Sequence, residues 1–289
     1  MKYWETLHIS PTPELVVKLA IKKRVQKKYS YTMRIATTLF VVLSVIFSSV
    51  AFGFDSVNII LFERNPWLMV IGSDSPLFVN YASGKTIYLT NRGTDKEAYY
   101  TVSLNKKENA DLLNKLSVLD KFDDYIELTT ASDQPVVELH YFNDEEVKKS
   151  SALIKRTVYG NLGRNAIHRQ KAPPEILQVY DYLTGFSHKG AIPWSPAYLE
   201  VMIWPYEYAP DKSIIWHKGW PDTKSKSSIK RGDGYSIFLP YKYRQAFRDF
   251  MKTRKQKGAV VINGKKWAVA TRIPFPHEIA HNRALQGGQ

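Results

Sequence analysis

Residues 259–273 read AVVINGKKWAVATRI, two β-rich runs closed by Asn263-Gly264. Asn-Gly supplies the two positive-φ positions of a type I′ turn, whose twist matches that of paired strands. Ala259–Ile262 and Lys266–Ile273 are therefore expected to form a tight hairpin. Just upstream, Tyr243, Ala246, Phe247, Phe250 and Met251 form an apolar stripe at helical spacing. Lys252, Arg254, Lys255 and Lys257 follow, with Gly258 behind them. Cations over a last turn and a glycine beyond it mark a helix stop. Ser213–His217 and Tyr235–Leu239 read as strands around a long polar loop ahead of that helix. The class is α+β, with antiparallel-rich sheets and helices packed on them.

The same order occurs earlier in the chain. Thr86–Thr90 and Tyr99–Leu104 read as strands joined by the loop Asn91–Ala98, and Asn105-Lys106-Lys107-Glu108 resembles a capping box. It opens a helix with Leu112, Leu113, Leu116 and Leu119 at helical spacing; Tyr125–Thr129, a turn over Ala131–Pro135 and Val136–Phe142 follow. Aligning Leu104 with Leu239 sets Leu112 against Phe247 and Leu116 against Met251. The expectation is a β-α-β-β duplication with two lobes, 55–160 and a basic 161–289, flanking a cleft of the kind that binds ligands. Elsewhere, residues 55–85 read as irregular chain with short strands and Asp144–Val158 as a charged helix. Pro173-Pro174-Glu175 opens a helix facing inward through Ile176, Val179, Tyr180 and Leu183, and Tyr198–Trp204 reads as a strand.

The N-terminal end carries a different message. Residues 1–34 form a basic leader with eight Lys/Arg and two Asp/Glu, and Ile35–Phe54 is a charge-free run of twenty residues. Twenty apolar residues at about 1.5 Å each match the hydrocarbon core of a bilayer. One reading is a single-pass anchor with the leader in the cytoplasm, as the positive-inside rule requires. The other is a signal sequence starting at Met33-Arg34, with small residues at 49–53 as the cleavage site. Both place the remainder outside the cytoplasm, in the cell membrane's outer aspect, the periplasm or the medium.

This topology changes the meaning of the net charge of +14. Six of those charges precede the apolar run; residues 211–289, with seventeen Lys/Arg and five Asp/Glu, carry a net +12, and the middle is mildly acidic. Zero cysteines exclude disulfides, thiolate metal sites and a cysteine nucleophile. A 44% hydrophobic composition excludes a disordered chain.

Two groups of residues are candidates for function. Lys224, Lys226, Lys230 and Arg231 crowd a Ser/Gly-rich loop that begins at Trp216 and Trp220. Cations beside aromatics engage acidic ligands, and the exported location favours an acidic envelope component or acidic protein partner over nucleic acid. The second group is His277-Glu278-Ile279-Ala280-His281, which matches H-E-x-x-H. On a helix, His277 and His281 would share one face as zinc ligands, with Glu278 activating a bound water. Pro274 and Pro276 just upstream, Arg283 at a normally apolar place and the lack of a downstream third ligand count against it; His140, His188 or His217 would have to complete the site. The preferred expectation is an exported or membrane-anchored, non-enzymatic binding protein of the envelope with a basic C-terminal surface. It needs no cofactor, and an inhibitor or immunity role belongs to its class. The alternative is a zinc-dependent hydrolase.

Overall fold

The computed structural model describes residues 55–141 and 154–279. Its first strand, β1 (Val57–Arg64), lies inside an eight-stranded sheet. Ile59 and Leu61 enter one core and Ile60 and Phe62 another, so the strand is covered on both faces. Such a strand shows a continuous apolar run without alternation, which is why this stretch reads as irregular in the sequence.

β2 (Phe78–Tyr81), β3 (Lys85–Thr90) and β4 (Ala98–Ser103) extend the sheet on one side of β1, and β5 (Tyr125–Glu127), β6 (Val136–Tyr141) and β7 (Ile154–Tyr159) on the other. With β8 (Ile192–Pro193) the order is β5-β7-β6-β1-β2-β3-β4-β8. The helix α1 (Lys106–Leu116) starts at the anticipated capping box. The Asn105 side chain accepts from the Glu108 N–H at 3.0 Å, and the Glu108 carboxylate accepts from the Asn105 N–H at 2.8 Å. A second helix, α2 (Pro174–Thr184), buries Ile176, Val179, Tyr180 and Leu183 in the core that takes Leu112 and Leu116 of α1. Leu162 and Ala172 join them, so chain beyond residue 160 still packs on the first sheet.

The helix expected over Asp144–Val158 ends in a strand instead, since Ile154–Tyr159 is β7; residues 142–153 lie outside the described residues. The misleading residue is Arg156, 8% exposed at an inward strand position. It pairs with Asp124 and donates to the Leu119 carbonyl at 3.3 Å. A charge facing inward hides the period of two.

The second sheet holds β9 (Tyr198–Pro205), β10 (Asp211–Ile215), β11 (Ser228–Arg231), β12 (Gly234–Pro240), β13 (Gly258–Ile262) and β14 (Lys265–Arg272) in the order β10-β13-β14-β9-β12-β11. Asn263 and Gly264 have φ of 51° and 81°. The hairpin they close pairs Val260 with Trp267 and Ile262 with Lys265. Between β12 and β13, α3 (Arg244–Lys252) places Phe247 on the sheet face formed by Leu199, Val201, Ile237 and Val269. The α+β class is what the sequence indicates. The two units share element order but not pairing: one strand separates β12 from β14, whereas three separate β4 from β6. Likewise β13 turns back on β14, while β5 runs parallel to β7.

After β14 the chain crosses to the first sheet. Phe275, fully buried, sits among Ile60, Phe62, Val79, Tyr81 and Ile87 on the face opposite α1 and α2. The leader 1–34 and the apolar run 35–54 lie outside the described residues. Among the described residues, no helix is long and apolar enough to cross a membrane.

Candidate functional site

The basic loop keeps its lysines and loses its tryptophans. Lys224, Lys226 and Lys230 are exposed. Asp222 is folded into the loop, accepting from the Lys224 N–H at 2.9 Å and from the Ser225 hydroxyl at 3.1 Å. The Lys224 amide holds its carboxyl below the usual range. Trp216 and Trp220, expected beside the ligand, are only 7% and 8% exposed. Their rings meet edge to face at 5.1 Å and pack on Phe247 and Phe250 of α3. Burial of indole area on a helix outweighs display of a ring to water, so both are core residues.

Arg231 belongs to a network on the far face of the second sheet. Its Nε donates to Ser236 Oγ at 2.7 Å, and a terminal nitrogen lies 3.7 Å from Glu200 Oε1. Ser236, fully buried, donates to Glu200 at 2.5 Å. The other Glu200 oxygen lies 3.6 Å from Arg272 Nε, and Arg272 pairs in turn with Glu278. Burial pushes the Arg272 guanidinium below its ordinary range, with Glu200 acting in opposition.

That pairing decides what Glu278 does. One of its oxygens accepts from Arg272 and the other from the Phe275 N–H at 2.7 Å. A carboxylate held by a guanidinium and a main-chain amide is a poor base for water, so the expected water-activating role does not fit. His277 Nδ1 lies 2.9 Å from the Tyr81 hydroxyl. His281 lies outside the described residues. His140 contacts Glu138 at 3.3 Å, His188 contacts Glu108 at 3.4 Å, and His217 accepts from the Gly219 N–H at 3.1 Å. Among the described residues, no three His, Asp or Glu side chains gather as a metal site.

Burial, reinforced by Arg272, pushes the His277 imidazole down to about 4. The unfolded chain takes up this proton near pH 6.5, the folded chain only near pH 4. Stability is therefore complete above pH 6.5, falls as the pH drops towards 4, and levels off below it. The expected loss is about 3 kcal/mol. Urea midpoints measured from pH 7 to 4 should slope more steeply for the native chain than for His277→Gln. Parallel slopes would show that His277 is not held neutral. Glu138, whose carboxyl is held low by His140, Lys155 and Arg64, loses its contribution only as the pH falls below its ordinary 4.5.

A third feature has no counterpart in the motifs. Between the start of β4 and the α3 side of the second sheet lies a cleft of about 640 Å³. Arg244, Arg248 and Lys252 of α3 line it, together with Tyr99 and Trp194 from the first-sheet side of the chain, and Leu199 is among its apolar residues. A single carboxylate among the described residues lines it, Glu97, which accepts from the Gly93 N–H at 2.8 Å. Among the described residues, neither Arg244 nor Arg248 has an ion-pair partner. The signal for this row was present in the sequence: positions 244, 248 and 252 repeat every four residues and share a helix face. Charge at a helix end explains one such residue, not a row along the full length.

Comparison with protein-family models, curated proteins and solved structures finds no match to this chain.

Proposed function

We propose that this chain is an exported or membrane-anchored envelope protein that binds an acidic ligand or protein partner through its basic C-terminal third and performs no chemistry on it. The supporting observation is the exposure of Lys224 and Lys226 on the loop before β11 and of Lys230 on β11 itself, while Asp222 is bonded within the loop. Export rests on the leader and the twenty-residue apolar run. Attraction between exposed charges is screened within about 8 Å at physiological ionic strength, so binding of this kind weakens steeply with salt.

The test uses the full-length chain in detergent with labelled polyglutamate as the anionic probe. Replacing Lys224, Lys226 and Lys230 together by Gln is expected to weaken binding about tenfold at low salt, or about 1.4 kcal/mol, without changing the melting temperature. Arg231 is left intact because it is tied to Glu200 and Ser236. Binding indifferent both to salt and to these changes overturns the reading.

A further inference from the structure

Resting on that reading, we infer that the cleft between the two sheets is where the acidic partner docks, as an extended segment with acidic residues at alternate positions. Arg244, Arg248 and Lys252 stand four residues apart on α3, and four residues of helix rise about 6.0 Å. In an extended chain, side chains on one face recur every two residues, about 6.6–6.8 Å. Over three charges the two rows differ by little more than 1 Å, which long arginine and lysine side chains absorb.

The aromatic lining of the cleft adds a second constraint. Alternate residues of an extended chain point in opposite directions. A segment with its acids toward α3 therefore turns its other side chains toward Tyr99 and Trp194, and apolar side chains suit that wall. Those rings are not free platforms for bases. Tyr99 and Trp194 meet edge to face at 5.8 Å, and each also packs on buried Phe275, at 5.5 and 5.1 Å. The Tyr99 hydroxyl donates to the Pro76 carbonyl at 2.8 Å. Nucleic acid requires exposed ring faces for stacking, so a peptide is the better occupant. Lys252 is paired with Asp249 at 2.8 Å, with both side chains more than half exposed. Exposed pairs contribute little, and a ligand carboxylate can take the place of this one.

The test measures binding of two fluorescein-labelled octapeptides to the full-length chain in detergent at low salt. One alternates Glu and Val; the other has the same composition with four Glu followed by four Val. The alternating peptide is expected to bind at least tenfold tighter. The combined change R244E, R248E and K252E is expected to weaken it at least tenfold, whereas K107E on α1 leaves it within twofold. Should the triple variant melt early, the single R248E, at an exposed position, carries the test with an expected loss of about fivefold. Equal binding of the two peptides, or no binding, overturns the inference. A loss on neutralising Lys224, Lys226 and Lys230 but not on reversing the cleft charges places the partner on the loop; it overturns the cleft and leaves the basic-surface reading standing. Indifference to salt and to both sets overturns both. Displacement of the peptide at lower concentration by single-stranded DNA or phosphatidylglycerol vesicles reassigns the cleft to that class.

Discussion

Glu200→Gln is expected to destabilise the protein by about 3–5 kcal/mol. Glu200 is 2% exposed in β9 and stands opposite Arg272 of β14 in the sheet register. Its two oxygens face Ser236 and Arg231 on one side and Arg272 on the other. Removing the negative charge leaves the Arg272 cation with Glu278 as its one remaining partner among the described residues, in a site that already disfavours it, with Arg64 and Arg231 adding repulsion. A buried charge that loses a partner costs more than an exposed pair is worth. In thermal unfolding, a chain of this size should lose about 10 °C. Arg231→Gln removes a 40% exposed contact at 3.7 Å and the Nε bond to Ser236 Oγ at 2.7 Å, and is expected to cost less, about 1.5 kcal/mol. Equal costs for the two variants would show that Glu200 does not neutralise Arg272.

The second large effect belongs to Phe275. Its side chain is fully buried, packed edge to face with Tyr99 at 5.5 Å and tilted against Trp194 at 5.1 Å. Phe275→Ala removes a whole ring from a core that cannot collapse around the gap, because β1, β2 and β3 of the first sheet supply the opposite wall. The expected cost is about 3–5 kcal/mol. Denaturant unfolding with an unchanged slope and a lowered midpoint checks it. Phe275→Leu, which keeps most of the volume, should cost about 1.5 kcal/mol or less, and Trp67→Ala, at a side chain 72% exposed, no more than about 0.5 kcal/mol. If Phe275→Ala behaves like Trp67→Ala, the contact between the C-terminal segment and the first sheet is not a structural one.

Local chemistry controls some parts of this chain, and contacts distant in sequence control the others. Asn263-Gly264 forms its hairpin because the two positive φ values are local requirements. The capping box at Asn105 forms because both bonds span three residues. The buried stripe of α2 falls on the four residues that helical spacing selects. Pairing is another matter. Element order alone made two units resemble each other, while the partner of each strand depends on chain far away, such as β9 entering between β12 and β14.

The candidate site divides in the same way. Composition and spacing marked Lys224, Lys226 and Lys230 as a cationic group, and their exposure agrees with it. They could not reveal that Trp216 and Trp220 turn inward onto Phe247 and Phe250, since an indole beside cations suits a ligand and a helix equally well. H-E-x-x-H spacing could not reveal that Arg272, six residues upstream, would claim Glu278.

By itself, then, the sequence determined the α+β class, the hairpin, the helices α1, α2 and α3 and the uneven distribution of charge, because each depends on residues within a turn or two of one another. Which cations stay exposed, which become partners of buried Glu200, and that Arg244, Arg248 and Lys252 share a cleft with Tyr99, more than a hundred residues away in the chain, follow from tertiary packing. Burial and ion pairing depend on distance in space, and part of that distance is set by the segment after β14, which packs Phe275 on the first sheet.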